Sequence, residues 1–500
     1  MSSSQPQSPA PAALNVLQAE FTSIVGAENV LADEAGRRPY AHDRLPFANF
    51  CERQHKLAGV LPRLVLRPGS AVEVQEIVKA ARRLGVQLIP FGNGSGVLGG
   101  AIPVSAEVTV DLRRLDQIVS MDPGNAMVTV QAGMNGAVFE AELNAQGYST
   151  GHLPQSIEIS TVGGWAACRG SGQASSRYGK IEDMIIGLKA VLPDGTAIDI
   201  RPVPRRSTGP SILDILVGSE GTLGIITEIT MRLWRLPEVE RGVALAFPTE
   251  QAALDAARDI MQAELRPLVA RIYDAQESSE RTENMPEFQR RPILAVYVFG
   301  GREPIVTTEQ QMAMEICSNH DAVEAGQEPY EHWRKNRYVA FSAQWQKAGY
   351  FNDTIEITGN WSVLPAMFDA MGKAVREICP EVYFGAHWSH IYPEGACQYM
   401  TIRLPPMEPE KALPLHAQMW QAVENLTLEH GGSIAHHHGV GVFRNGWIER
   451  ELGGALPMLQ QIKDALDPGN LMNPGKLGLR PPEGAVVVGQ LDPSTKHQES

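Results

Sequence analysis

Glycine is crowded into three places along this chain, and each place follows a run that reads as a β-strand. FGNGSGVLGG occupies 91–100, a Gly/Ser-rich stretch runs from Ser160 to Gly179, and GSEGTLGIITE occupies 218–228. A backbone without Cβ enters φ > 0 conformations and brings successive N–H groups close to a pyrophosphate. Gly92, Gly94 and Gly96 alternate with Asn93 and Ser95 straight after the run VQLIP, so the first cluster has that geometry and adds an amide and a hydroxyl. Two other phosphate-binding patterns do not match. The Lys and Ser/Thr of a Walker A loop are missing, and no helix-opening G-x-G-x-x-G is followed by an acidic residue about 20 positions on, as a nicotinamide fold requires.

Around the clusters the pattern is mixed. RLVLRP reads as a strand, Ser70 and Glu73 as a capping box, and Val74, Ile77, Val78, Ala81 and Leu84 fall at helical spacing. VTVDL, MVTVQAG and the Asp-Gly hairpin in IIGLKAVLPDGTAIDI continue the strands. Near Arg241 the texture changes to strands such as RGVALAFP, PLVARIYD, DTIEITGNW and QYMTIRL between helical runs, which predicts a second, α+β domain of antiparallel strands backed by helices.

Composition narrows the class. Five hundred residues exceed one ordinary core, which stops growing at roughly 250–300 residues, so two or three domains are expected. A net charge of −14 argues against nucleic acid or an anionic membrane as partner. Cys51, Cys168, Cys317, Cys379 and Cys397 show no CxxC spacing and read as reduced thiols in a cytoplasmic protein. MSSSQPQSPAPAA has neither the charged nor the apolar region of a signal peptide, and no apolar run reaches the roughly 18 residues of a membrane span. KHQES is not a peroxisomal address.

PFGNGSGVLGG, GHLPQSIEISTVGGWAACRGSGQASSRYGKIEDMIIG, LVGSEGTLGIITE and LDPGNLMNPGK, in that order, resemble the FAD-linked oxidases of the vanillyl-alcohol oxidase and p-cresol methylhydroxylase type. GGWAACRGSGQ, RYGKIED, SHIYPEGACQY and GGSIAHHHGVG are similar to the alkyldihydroxyacetonephosphate synthase branch of that superfamily. The resemblance implies an α+β fold: a two-subdomain FAD-binding (PCMH-type) domain and a ferredoxin-like antiparallel-sheet cap that holds substrate. The expected limits are a tail at 1–13, the FAD domain at 14–240, the cap at 241–445, a segment at 446–485 returning to the FAD domain, and a tail at 486–500.

By the same resemblance Gly92, Asn93, Gly94, Ser95 and Gly96 wrap the FAD pyrophosphate. Pro154, Gln155, Ser156, Thr161, Gly163, Gly164, Trp165 and Gly172 line the flavin, and Glu220, Gly221 and Ile226 belong to the segment on the adenine side. None of these is the histidine or cysteine through which relatives tether the flavin, so FAD is expected to be non-covalent at that end.

Three adjacent histidines, His436, His437 and His438, point in different directions and suit neither core packing nor one face of an element. A surface or metal-sticky His tract is one reading; the resemblance instead places them beside the flavin, where a group with an ordinary pKa near 6.5 exchanges protons. Tyr399 matches the branch's proton-abstracting phenol. A phenol, ordinarily near pKa 10, needs neighbouring cations to act as base, and the histidine run is the expected source. His390 matches in position a metal ligand of the 2-hydroxyacid dehydrogenases, whose other two ligands are replaced here by Cys397 and His437. Zinc tolerates that set; the expectation is nevertheless no metal, with these residues shaping an organic-substrate pocket.

Bacterial relatives in the branch carry an arginine for the substrate phosphate. Trp333, Arg337, Asp353, Thr354 and Glu356 of the surrounding pattern are kept, but Ser342 stands at the arginine's place, leaving Arg444 as the expected compensating cation. The leading expectation is therefore an FAD enzyme that oxidises a small hydroxyl-bearing organic substrate. Redox-neutral alkyldihydroxyacetonephosphate synthesis, D-2-hydroxyacid oxidation and a non-catalytic flavoprotein are the alternatives, and a homodimer is an open expectation.

Overall fold

The computed structural model describes residues 13–53, 56–105, 107–283, 285–339 and 342–489, without the side chains of Ser342 and Ala343. Nearly all of the expected N-terminal tail and the last eleven residues lie outside this set.

Two sheets carry the glycine clusters. The first has strand order Val30–Leu31, Val65–Leu66, Val108–Asp111, Leu88–Phe91, and its inner pairs are parallel. The helix Ala71–Leu84 makes the crossover; Ser70 caps it by accepting from Glu73 N, while Glu73 accepts from Gly69 N. The second sheet is antiparallel, ordered Ile118–Asp122, Met127–Gln131, Ile225–Arg232, Ile185–Val191, Ala197–Ile200. Because the first and third clusters sit at the end of one strand and the start of another, at Phe91 and Ile225, their loops meet on one side. Gly221 packs against Pro90, and a Cβ there would lie 2.9 Å from the proline ring.

The third sheet has seven antiparallel strands, ordered Val323–Glu324, Val239–Phe247, Ile293–Gly301, Val269–Tyr273, Tyr383–Ile391, Gly395–Leu404, Phe351–Asn360. Its strands alternate with period two. Ile272, Trp388, Met400, Ile402, Ile355 and Ile357 are buried on one face in the same core as Met367, Met371 and Val375 of the helix Leu364–Ile378. The opposite face carries Arg271, His387, Tyr399, Thr401 and Arg403 and turns towards the glycine loops. This is the mixed helix-and-sheet architecture expected, with an antiparallel second unit.

The C-terminal stretch packs on the first sheet: Met472 bridges to Leu88, and buried Lys463 donates to the carbonyls of Thr222 and Met472. Among the described residues no helix is long and apolar enough to cross a membrane.

Candidate active site

A cavity of about 1660 Å³ lies between the glycine loops and the polar face of the seven-stranded sheet. Single-ligand pockets usually hold about 300–1,000 Å³, so this one has room for a dinucleotide and a substrate together. Every residue expected to wrap or line the flavin borders it except Gly172.

The wall fits FAD on three counts. No described residue accepts from the backbone N–H groups of Asn93 to Gly96, which are left for an anion. Side chains are excluded where backbone must approach: a Cβ on Gly92 would lie 2.4 Å from Thr161 Oγ1, and one on Gly163 2.7 Å from the Ala132 carbonyl. Buried polar atoms also await partners, namely Asp43 Oδ2 and both ring nitrogens of His152. The His152 ring lies tilted against Trp165 with centroids 4.6 Å apart, and burial lowers its pKa to about 3, so it is neutral.

Two expected flavin contacts have other partners. Asn93 Nδ2 donates to the Ile159 carbonyl at 2.9 Å and its Oδ1 accepts from Arg113 at 3.1 Å, so its side chain shapes the loop and leaves the phosphate to the backbone. Glu220 accepts from Val440 N at 2.7 Å and Gly441 N at 2.8 Å. Its carboxylate therefore ties the segment after the histidine run to the glycine loops, and burial raises it to about 7. Its φ of +49° is a left-handed backbone held in place by these contacts. Gly172 stands behind the wall, where a Cβ would lie 2.4 Å from Leu153 N.

On the opposite wall, register aligns the chemistry. His387 pairs with Tyr399 and Tyr273, and Tyr399 with Glu356. The Tyr399 ring stacks on His387 at 4.8 Å and lies 6.1 Å from His437, nearly parallel to both. His390 sits at a bulge with φ +50°, which re-aims its side chain into the cavity. There Nδ1 meets the hydroxyls of Ser171 and Ser175 at 3.0 and 2.8 Å, with the Gly172 backbone beside the ring.

The expectation of an acidified phenol is corrected. Burial, reinforced by the Glu356 charge and opposed by Thr354 and Arg271, raises Tyr399 to about 12, and its hydroxyl donates to Thr354 Oγ1 at 3.1 Å. The histidines supply no positive charge, because burial and mutual repulsion push His436 and His437 well below their ordinary value and His390 to about 3.

Glu356 positions the run. Oε2 accepts from the backbone N–H of His436 at 2.6 Å and His437 at 3.3 Å, and Oε1 from His438 N at 3.0 Å and Arg444 Nη1 at 2.9 Å. His437 and His438 border the cavity, whereas His436 stands behind them with Nε2 3.0 Å from the Tyr392 hydroxyl. The Nδ1 atoms of His436 and His437 are 3.0 Å apart, so one donates to the other. If His437 Nδ1–H donates to His436, then His436 Nε2–H donates to Tyr392, and His437 Nε2, unpartnered among the described residues, presents its lone pair to the cavity.

The expected substrate cation is also corrected. Arg444 has no exposed surface, pairs with both Glu356 and Glu424, and does not border the cavity. Cys397 is fully buried, with Sγ 3.9 Å from His437 Nδ1. The side chain of Ser342 lies outside the described residues. Glu356, Cys397, His436 and His437 bring ligand-type atoms within 4.8 Å of one another. An ion does not fit that group, since four hydrogen bonds occupy the lone pairs of Glu356, and Nδ1 of His390, from the expected metal set, is already bonded to Ser171 and Ser175.

Sequence reasoning missed Arg271, His387, Asp43 and His152. A charged residue inside the apolar run PLVARIYD, and a histidine directly after the glycine-alanine pair in VYFGAHWSH, were the available signals.

Comparison with known proteins agrees with this geometry. Residues 62–201 match the FAD binding domain model, and 236–477 match the model of the FAD linked oxidases, C-terminal domain. An uncharacterized FAD-linked oxidoreductase, YgcU of Escherichia coli strain K12, is 30% identical over 474 residues, covering 92% of this chain and 97% of that one. A solved alkyldihydroxyacetonephosphate synthase superposes with a TM-score of 0.77 at 26% identity, covering 93% and 85%. Substrate-bound p-cresol methylhydroxylase shares the fold at 17% identity, with a TM-score of 0.75 and coverage of 93% and 97%.

Proposed function

The chain belongs to the family of FAD-linked oxidases, and from that premise we propose that it oxidises a hydroxyl group on a small polar organic molecule, with His437 taking the hydroxyl proton. Bound FAD supplies the hydride acceptor at N5. The substrate carbon loses a hydride, its oxygen loses a proton, and a carbonyl compound leaves.

The observation that supports this reading is the chain of contacts from His437 to His436 to Tyr392: with His437 Nδ1 as the donor, it leaves the neutral His437 Nε2 facing the cavity as an acceptor. A neutral imidazole accepts a proton where a phenol raised to about 12 holds its own. Tyr399, donating to Thr354 and stacked on His387, keeps the shape of the site and directs the substrate oxygen. General-base action of this kind contributes typically about 10²–10⁴-fold. His390 is a positioning residue, its Nδ1 held by the Ser171 and Ser175 hydroxyls.

The groups nearest Tyr399 suit oxidation of a polar molecule: Asn352, Thr354, Arg271, His387, Thr401 and Arg403 surround it, while Tyr273, Leu294, Trp333 and Trp345 add apolar surface to the same cavity. FAD is non-covalent in this reading, and the five unpaired cysteines suit a cytoplasmic setting.

Anaerobic mixing of the holoenzyme with a panel of hydroxyacids and alcohols is the test, and at least one compound is expected to bleach the flavin absorbance. If none does, while acyl-dihydroxyacetone phosphate plus a fatty alcohol yields an ether, the reading fails. Acid precipitation should leave the flavin in the supernatant; flavin retained in the pellet contradicts non-covalent binding.

A further inference from the structure

We infer that Arg271 and His387 form an oxyanion anchor on the cap wall, so that the molecule oxidised carries a carboxylate or phosphate beside its hydroxyl group. The inference rests on the oxidase reading above and adds the substrate's chemical class to it.

Three arginines reach the cavity from the sheet and its flanking helix near Tyr399. Arg281 pairs with Glu277 at 3.2 Å and Arg403 with Glu280 at 3.0 Å. Arg271 has no carboxylate within ion-pair distance among the described residues. Its Nη2 donates to the neutral Nε2 of His387 at 2.7 Å, and its buried Nε has no partner. Glu277 reaches this partly buried guanidinium only through His387, so its free N–H groups are left to form charge-assisted bonds once an anion arrives.

His387 makes the guanidinium rigid. Its Nδ1 lies 3.2 Å from Glu277 Oε2, so Nδ1–H donates to the carboxylate and Nε2 is left to accept from Arg271. Glu277 is held in turn by Arg281 and by the Thr401 hydroxyl at 3.1 Å. The His387 ring stacks on Tyr399, which sets the cation one residue from the group that faces His437. An oxyanion on Arg271 and a hydroxyl at His437 thus span Tyr399 between them.

The charge of the cavity agrees. Seven acidic and seven basic side chains border it, whereas the whole chain carries −14. The site is locally far less acidic than the surface, and Lys335 and Arg337 stand at its rim. Arg271, on the strand Val269–Tyr273, supplies the cation that position 342, at the start of the helix Ser342–Lys347, does not.

The test is binding of anions that cannot be oxidised to the oxidised holoenzyme, followed by the flavin absorption spectrum. Oxalate and pyruvate probe the carboxylate, inorganic phosphate the phosphate, and neutral acetone is the control. At least one anion is expected to perturb the spectrum saturably, with its Kd raised about tenfold or more in Arg271→Met and less in Arg271→Lys, at unchanged FAD content. Carboxylate-only or phosphate-only binding identifies the source. The inference is overturned if no anion perturbs the wild-type spectrum, if Arg271→Met binds anions as tightly as wild type, or if it changes the flavin's reduction potential but not anion affinity. Because these ligands are not turned over, a failed oxidase reading shows separately, as absence of bleaching by every hydroxylated compound.

Discussion

Arg444 Nη1 donates to Glu356 Oε1 across 2.9 Å, and neither side chain has any exposed surface. The same guanidinium bonds Glu424 through Nε at 2.8 Å, so one cation balances two buried carboxylates while Glu356 holds the backbone of the histidine run. Removing it strips Glu424 of its cation and leaves Glu356 with backbone N–H groups alone, a loss of about 3–5 kcal/mol. Arg444→Met should therefore lower the urea midpoint sharply and take flavin reduction with it. Wild-type stability with only a raised KM for an anionic substrate would return Arg444 to the substrate-binding role expected from sequence.

Gly96 separates cofactor binding from folding. A Cβ there meets only Asp43 Oδ2, at 3.3 Å, and its φ is not in the left-handed region. Gly96→Ala should fold with an apo melting temperature near wild type yet bind FAD on the order of tenfold more weakly, because the side chain stands where backbone N–H groups approach the phosphates. The ratio of bound flavin to protein after gel filtration measures this, and full occupancy at low FAD would contradict it.

His387 gives the protein an acid limit. Burial, with Arg271 beside it and Glu277 opposing, lowers its pKa from 6.5 to about 4. Above 6.5 neither state binds the proton; between 6.5 and about 4 the unfolded chain binds it and the folded protein does not. Stability contributed by this group is thus lost as pH falls, at ~1.4 kcal/mol per pH unit. Urea titrations of the apoprotein from pH 7 to 5 should show a shallower decline in His387→Gln, by about one proton. Equal slopes would mean that His387 is protonated in the fold.

The parts of the site that depend on backbone were legible in the sequence. Gly92 to Gly96 and Gly163 announce close approach, and fifteen of the sixteen residues assigned to the flavin wall border the cavity. The family resemblance also brought Tyr399 and the histidine run to one site, and the rings of Tyr399 and His437 lie 6.1 Å apart. What failed was charge. Adjacent histidines suggested a cationic cluster, but buried rings a few ångströms apart cannot all hold protons, and the phenol rose instead of falling. Arg444 looked free because its partners come from the strand Phe351–Asn360 and the helix Pro409–Glu429, a meeting that no local pattern announces. Arg271 stayed hidden for the opposite reason, since a single arginine in an apolar strand shows its missing counter-ion only when the neighbouring arginines are seen paired.

The rate of anaerobic flavin reduction in the His437→Gln holoenzyme, set beside Tyr399→Phe and wild type with the same reducing substrate, tests the central claim most directly. At equal FAD content, His437→Gln is expected to slow reduction by about 10²–10⁴-fold and Tyr399→Phe by less than about tenfold. A His437→Gln enzyme that is reduced at the wild-type rate, or a Tyr399→Phe enzyme that carries the whole loss, would contradict the account.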